Sequence, residues 1–313
     1  MNENDKALRQ RLERMSEDKL RHRVLKMYTD LMDEYENAVE ESEEHLVESE
    51  IALSMLYQER GVPKDALKII NKVLKKQGVH TPFAWQIKAE ILRDLENPKE
   101  ALISINKSID GFRDNYGEDL PGNLVIKADA YHDLGKFKLA INCSLKAVQM
   151  FKKQKIVEDN TGQTLSDAFY QIGHNYFHLN KNSQSLKWLE KAEKTKNILN
   201  SGQVAFDKAQ VLIEMKKYDQ ALKEARKAIK LDPGEGEYWL LLSYCLVLAK
   251  KGSFDVLRAI VTSETLMPEP STHRAWNKEV KIISRYLKNA DEGEIAKSAI
   301  KLKKRYQNLE LNY

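Results

Sequence analysis

The feature that most constrains this chain is a short residue pattern that recurs along most of its length. Its clearest copy occupies residues 203–233, where a first segment carries Ala209 and Leu212 and a second segment opens at Ala221. Small residues at such positions let two antiparallel helices approach closely, while larger ones fill the space between them. Pro233 then ends the second helix, because proline cannot donate the backbone hydrogen bond that a helix requires. The pattern predicts a helix–turn–helix unit.

The same pattern recurs upstream, and a weaker sixth copy closes at Pro268. The residues that open the second segment follow one another at steps of 35, 39, 45 and 36 residues: Ala66, Ala101, Ala140, Ser185 and Ala221. An aromatic–small–aromatic first helix, an Ala-Leu opening to the second and a closing proline resemble the tetratricopeptide repeat family. The resemblance covers roughly residues 47–270. It implies an all-α fold, a right-handed α-solenoid of about six helix–turn–helix repeats.

All four steps exceed the 34-residue repeat of the family, and the steps of 39 and 45 residues exceed it most. The extra residues lie around 111–122 and 151–165, where we expect longer second helices and longer loops behind them. Such segments are expected to project from the array and to offer a secondary contact surface.

The two ends of the chain differ from the array. Residues 1–46 form a charged helical segment that is acidic toward its end, and residues 271–313 are predicted to form two amphipathic helices, 274–289 and 292–308. Solenoids need polar terminal caps, so we predict capping for both ends. The alternative is that the acidic segment and the basic run drive self-association or dock a charged partner. That basic run consists of Lys301, Lys303, Lys304 and Arg305.

Composition restricts the class of protein further. The net charge of +4 is small for 313 residues, which does not favour nucleic-acid binding. The polar N-terminus contains no apolar signal segment, and the longest apolar run, 238–249, is too short to span a bilayer. Two distant cysteines, Cys143 and Cys245, form no CxxC pair, which indicates a reducing compartment. We therefore expect a cytoplasmic protein; the alternative, a non-classically secreted bacterial effector, would have the same composition.

The sequence also lacks the motifs of common catalytic sites. It contains no glycine-rich phosphate loop, no GxSxG elbow and no HExxH zinc motif. We predict a protein that is not an enzyme and that uses no cofactor.

The resemblance implies where a partner would bind, since the first helices of stacked pairs line a concave trough. The second half of this trough is predicted to be aromatic, and exposed aromatic side chains usually mark an interaction site. We predict a groove for a peptide or helix of a partner protein, with contacts from Tyr170, His174, Phe177, Phe206, Gln210 and Tyr244. The alternative is that long second helices or the C-terminal helices fold over these rings and bury them.

One known groove of the family is a clamp of Lys, Arg and Asn that holds the C-terminal carboxylate of a chaperone. The matching positions here hold Gln86, Glu90, Val125 and Asp129. Neutral and acidic side chains cannot pair with a carboxylate, so the sequence does not favour a chaperone-tail adaptor.

His174 and His178 have the four-residue spacing that lets two imidazoles on one helix share a metal ion. His132, Asp129 and Asp133 could complete such a site. The pair lacks the adjacent glutamate of a zinc protease, and an open trough admits water. The sequence therefore favours a plain polar patch, and we predict no metal.

Two other functions remain open. The steps of 39 and 45 residues resemble those of longer-repeat regulators, which suggests a regulatory protein that responds to a peptide or effector. The basic run in the last helix suggests a noncatalytic subunit that binds RNA or DNA, for which binding would depend strongly on salt.

Overall fold

The computed structural model describes residues 46–76, 81–117, 120–159, 161–195, 201–266 and 276–288, together with positions 26, 29–31, 33 and 34. All the elements labelled in these ranges are helices, as the sequence predicts. They are α1 Leu46–Glu59, α2 Pro63–Lys76, α3 Thr81–Asp94, α4 Pro98–Tyr116, α5 Pro121–Asp133, α6 Phe137–Gln154, α7 Leu165–His178, α8 Asn182–Lys194, α9 Ser201–Glu214, α10 Tyr218–Leu231, α11 Gly236–Leu248, α12 Ser253–Leu266 and α13 Asn277–Lys288.

The chain divides into two compact units, and each is described by itself. The first comprises residues 1–136 and 159–162 and holds α1–α5; the second comprises residues 137–158 and 163–313 and holds α6–α13. Within each unit a helix packs on the next helix in the chain, and first helices also contact the first helix that follows. This is the packing of stacked helix–turn–helix repeats, so the predicted all-α solenoid fold is confirmed.

One turn geometry recurs at the end of every first helix that the structure describes. A residue with positive φ, between 53° and 74°, ends each of them. The next residue donates its N–H to the carbonyl five positions back at 2.8–2.9 Å, a Schellman cap. The left-handed residues are Gly61, Glu96, Gly135, Asn180, Lys216 and Lys250. The sixth copy, which is weak in sequence, therefore has the same turn as the other five.

The small residues that define the sequence pattern lie at the closest helix contacts. All five that open the second helices are fully buried, at 0% exposure: Ala66, Ala101, Ala140, Ser185 and Ala221. In α7 the contact requires glycine. A Cβ added to Gly173 would lie 2.8 Å from Leu189 Cγ and 3.0 Å from the Leu189 backbone nitrogen. Because the backbone of α8 cannot move away cheaply, only glycine fits there.

The two long steps correspond to long second helices. α4 has 19 residues and α6 has 18, against 14 in α2 and α10 and 13 in α8. We expected the loop after α6 to project from the array. At Asp159 and Thr161 it is instead hydrogen-bonded to other residues, so the expectation is wrong there. The Asp159 carboxylate accepts from Gly122 N–H at 2.6 Å, and Thr161 O accepts from the Gln86 amide at 3.4 Å. The carboxylate is held because the N-terminus of α5 presents unpaired N–H groups and positive potential.

The C-terminal segment begins as predicted. α13 spans Asn277–Lys288, inside the expected helix 274–289, and buries Trp276 and Ile283 against the core around α9–α12. Most of the charged segment 1–46, the second C-terminal helix and the basic run lie outside the described residues, so their roles stay predictions. Cys245 is fully buried, and burial raises the pKa of its thiol to about 12, as expected for an apolar filler.

Candidate functional site

Three of the predicted contact residues lie along one helix of the second unit. Tyr170, His174 and Phe177 are half-buried on α7 and follow one another at three-to-four-residue spacing, which places them on one face. The Tyr170 ring stacks on His174 with centroids 5.5 Å apart, and Phe177 meets His178 edge-on at 6.0 Å. The Phe137 ring of α6 stacks on the His178 ring with centroids 4.8 Å apart. This α7 face is a continuous aromatic surface with two imidazoles at its centre.

A polar network joins the α7 face to α9. His174 Nδ1 lies 2.6 Å from Asp207 Oδ2, and Gln203 donates its amide to the other Asp207 oxygen at 2.9 Å. Tyr238 on α11 donates its hydroxyl to Gln203 at 3.3 Å. Asp207 is 2% exposed, so its charge acts in a low-dielectric environment. The sequence did not indicate Asp207, because this residue falls between predicted contact positions and no local motif marks it.

Phe206 does not face the solvent, which contradicts the expectation that its ring lines an open trough. The residue is 4% exposed. Its ring packs against Tyr238 at 5.1 Å and against Trp276 at 5.9 Å, the latter edge-on. The alternative that the C-terminal helices cover these rings therefore holds at this position. Leu240 on α11 is fully buried in the same core.

The two remaining predicted contacts are accessible but lie outside the network. Gln210 is half-buried on α9, one helical turn beyond Phe206. Tyr244 is half-buried on α11 and packs against the core cluster. Burial raises the pKa of the Tyr244 hydroxyl, and the nearby carboxylates of Glu279 and Glu214 act in the same direction.

The trough face of the first unit is polar. Arg93 on α3 forms ion pairs with Asp129 at 3.0 Å and with Asp133 at 2.7 Å, both on α5. These contacts engage the two carboxylates that the sequence offered as extra metal ligands. Val125, at one of the clamp positions, is 1% exposed. The first unit thus presents ion-paired acids where a carboxylate clamp would require free cations.

Glu90 is the carboxyl group of this face with an unusual titration. Burial raises its pKa to about 7, a hydrogen bond from Gln86 opposes that shift, and the charge of Asp129 adds to it. The folded chain therefore binds more protons here than the unfolded chain between about pH 4.5 and 7, so stability falls as pH rises through that window.

We expect Glu90→Gln to remove this loss and to raise the unfolding free energy of the first unit at pH 8 by about 1–3 kcal/mol. Urea denaturation at pH 5 and pH 8, followed through Trp85 fluorescence, measures it. Glu59→Gln makes the same change at an exposed carboxylate of α1 and serves as the control. Parallel pH profiles for the wild type and Glu90→Gln would contradict the prediction.

Three consecutive repeats match a known family by sequence. The profile of the tetratricopeptide repeat family matches residues 122–154, 166–197 and 202–235. These segments coincide with α5–α6, α7–α8 and α9–α10. The chain thus contains three tetratricopeptide repeats. Repeats of this family generally serve as scaffolds for interactions between proteins and are typically noncatalytic.

Solved structures of other tetratricopeptide repeat proteins share the fold. The chain superposes on the APC/C hetero-tetramer Cut9-Hcn1 with a TM-score of 0.67, at 12% identity over 82% of this chain and 46% of that one. It superposes on a STAND protein with a tetratricopeptide repeat sensor, PH0952 from Pyrococcus horikoshii, with a TM-score of 0.61, at 15% identity over 92% of this chain and 45% of that one. On PilF of Pseudomonas aeruginosa the TM-score is 0.55, at 16% identity over 74% of this chain and 97% of that one. The chain thus spans less than half the length of the first two, and at these identities the likeness concerns the fold.

No curated protein sequence matches this chain. In the part of the chain that the structure describes, no helix has the length and apolar character needed to cross a bilayer.

Proposed function

We propose that this protein is a cytoplasmic, noncatalytic adaptor that binds a segment of a partner protein on the α7 face of its second unit. The observation that supports the proposal is the set of partly exposed aromatic rings, Tyr170 and Phe177, beside the buried Asp207 network. Large rings held in place by packing lose little entropy on binding and dominate the energetics of many interfaces.

The bound segment is expected to be an extended or helical peptide with apolar side chains. Apolar groups of the partner would cover Tyr170 and Phe177, and Gln210 on the neighbouring first helix would hydrogen-bond its backbone. Phe206 is not expected to touch the partner, because Tyr238 and Trp276 cover its ring.

Site-specific photo-crosslinking tests the proposal directly. A benzophenone amino acid is placed at position 170 or 177, and in a control at Leu231, which is 45% exposed on the second helix α10. We expect the same partner to be crosslinked in cell lysate from 170 and 177 and not from 231. Crosslinking from 231 alone would move the interface to the outer helices and contradict the proposal.

A double substitution gives the size of the effect. Once the partner is identified, Tyr170→Ala/Phe177→Ala is expected to weaken its binding by about 2 kcal/mol or more, which is about 30-fold. Binding of the purified partner is measured by calorimetry, and circular dichroism checks that the variant is folded. Leu231→Ala is the matched control on the outer surface. Equal affinity of the double variant and the wild type would exclude the α7 face.

One observation favours a second candidate function, that of a regulated adaptor. Trp276 packs on Phe206, a position at which the sequence predicts a contact with a partner. A segment of the chain that covers part of its own groove can compete with a partner for that surface. In this case removal of the Trp276 contact would raise partner affinity instead of leaving it unchanged.

A further inference from the structure

The two imidazoles of the α7 face have their side-chain nitrogens at the separation that a shared metal ion requires. His174 Nε2 and His178 Nε2 lie 3.3 Å apart. Zinc binds histidine nitrogen at about 2.0–2.1 Å in tetrahedral geometry, which places two such ligands about 3.3–3.4 Å from each other. The same distance allows a hydrogen bond between the two ring nitrogens when no ion is bound. The two nitrogens are therefore already spaced for a shared ion.

Asp207 orients the His174 imidazole so that its Nε2 can bind a metal ion. Its carboxylate accepts a hydrogen bond from His174 Nδ1 at 2.6 Å, so Nδ1 carries the proton and Nε2 carries the lone pair. Histidines that bind metals almost always donate their other ring nitrogen to a carboxylate or carbonyl in this way. The charge of Asp207, which is 2% exposed, also attracts a cation.

Both rings are held in place before any ion binds. Tyr170 stacks on His174 with centroids 5.5 Å apart and an interplanar angle of 24°. Phe137 stacks on His178 at 4.8 Å and 15°. Ligands whose orientation is set by packing lose less freedom on binding, which favours affinity.

We propose that His174 and His178 bind a divalent transition-metal ion, zinc or copper, through their Nε2 atoms, with Asp207 orienting His174. The two remaining positions of a tetrahedral ion are left for water or for a donor atom of a bound molecule. This inference departs from our sequence-based prediction of no metal, because the local spacing showed the histidines but not Asp207. It does not depend on the proposed function, since the metal binds in the absence of a partner.

The test uses the full chain without a histidine tag, because a tag binds the same metals. Zinc, copper, magnesium and calcium are titrated by calorimetry at pH 7.5, and cobalt is added as a spectroscopic probe of tetrahedral coordination. We expect one equivalent of zinc or copper to bind, copper more tightly, and magnesium and calcium not to bind, because imidazole suits the former and oxygen ligands the latter. Absence of saturable zinc or copper binding at millimolar metal would overturn the proposal.

Three variants assign the site. His178→Gln removes an exposed ligand with little effect on folding and is expected to weaken zinc binding at least tenfold. Asp207→Asn keeps the shape of the side chain and is expected to weaken it about 10- to 100-fold. His80→Gln makes the same histidine substitution far along the chain and should leave affinity unchanged. If His178→Gln, verified as folded by circular dichroism, binds zinc as tightly as the wild type, the ion is held elsewhere and the proposal is wrong.

Discussion

Replacing Lys208 with methionine is expected to reduce the unfolding free energy of the second unit by about 3–5 kcal/mol. Lys208 on α9 is 5% exposed. Its ammonium lies 2.8 Å from the Glu193 carboxylate on α8 and 2.8 Å from that of Glu224 on α10. Burial alone would lower the pKa of the ammonium, but hydrogen bonds to the two carboxylates outweigh burial and raise it, so it stays charged. Methionine is nearly as long as lysine but uncharged, so Glu224 loses this counter-ion and Glu193 keeps only Lys227.

Urea denaturation, followed through the fluorescence of Trp188 and Trp239, measures the loss. Lys223→Met removes an exposed lysine of α10 and is expected to change stability by no more than about 0.5 kcal/mol. Adding Glu193→Gln and Glu224→Gln to Lys208→Met should recover part of the stability, because the uncompensated charges are then gone. A loss below about 1 kcal/mol for Lys208→Met, with no recovery in the triple variant, would show that the carboxylates do not need this ammonium.

The same network makes the second unit sensitive to acid. Burial raises the pKa of Glu193, but the hydrogen bonds from Lys208 and Lys227 more than offset it and hold the pKa below its ordinary value. A carboxyl group with a lowered folded pKa stabilises the fold above its unfolded pKa, and that contribution is lost as pH falls through the folded value. The pKa of Glu90 in the first unit is raised instead of lowered. The contribution of Glu90 to stability therefore falls as pH rises, whereas that of Glu193 falls as pH drops.

Replacing Trp276 with alanine is the second change for which we expect a large effect, a local loss of about 3–5 kcal/mol. Trp276 is 8% exposed and packs edge-on against Phe206, and it leads directly into α13. Of the described helices, α13 packs mainly on α11 and α12. Terminal elements of repeat proteins depend only on their neighbours, so α13 should open without unfolding of α7 and α8.

Hydrogen exchange measured by mass spectrometry distinguishes local from global opening. In Trp276→Ala, the amides of α13 are expected to lose protection while those of α7 and α8 keep it. Tyr286→Phe removes only the hydrogen bond to the Lys251 carbonyl and should cost about 0.5–1.5 kcal/mol, with α13 still protected. Full protection of α13 in Trp276→Ala would show that other contacts hold this helix in place. The same variant tests the regulated adaptor, for which partner affinity should rise.

The predicted contact residues show what the spacing of residues within one helix can and cannot predict. Tyr170, His174 and Phe177 lie on one face of α7, as their three-to-four spacing indicates. Phe206 and Gln210 are likewise four residues apart on α9, yet the Phe206 ring is buried. The difference arises from Trp276, which is far along the chain, so no pattern within α9 could reveal it. Asp207 was missed for the same reason, since its importance depends on the approach of His174 from another helix.

The helix pairs could be predicted from the sequence, because their packing depends on recurring small residues that are visible in the chain. Ala66, Ala101 and Ala221 are buried as that pattern requires. The turns were less visible, because four of the six left-handed positions hold a residue other than glycine: Glu96, Asn180, Lys216 and Lys250. The trough surfaces that stay open, the contacts of the loop at Asp159 and the histidine that faces a carboxylate became clear only from the folded structure. These outcomes depend on contacts between residues distant in sequence, and local periodicity carries no information about such contacts.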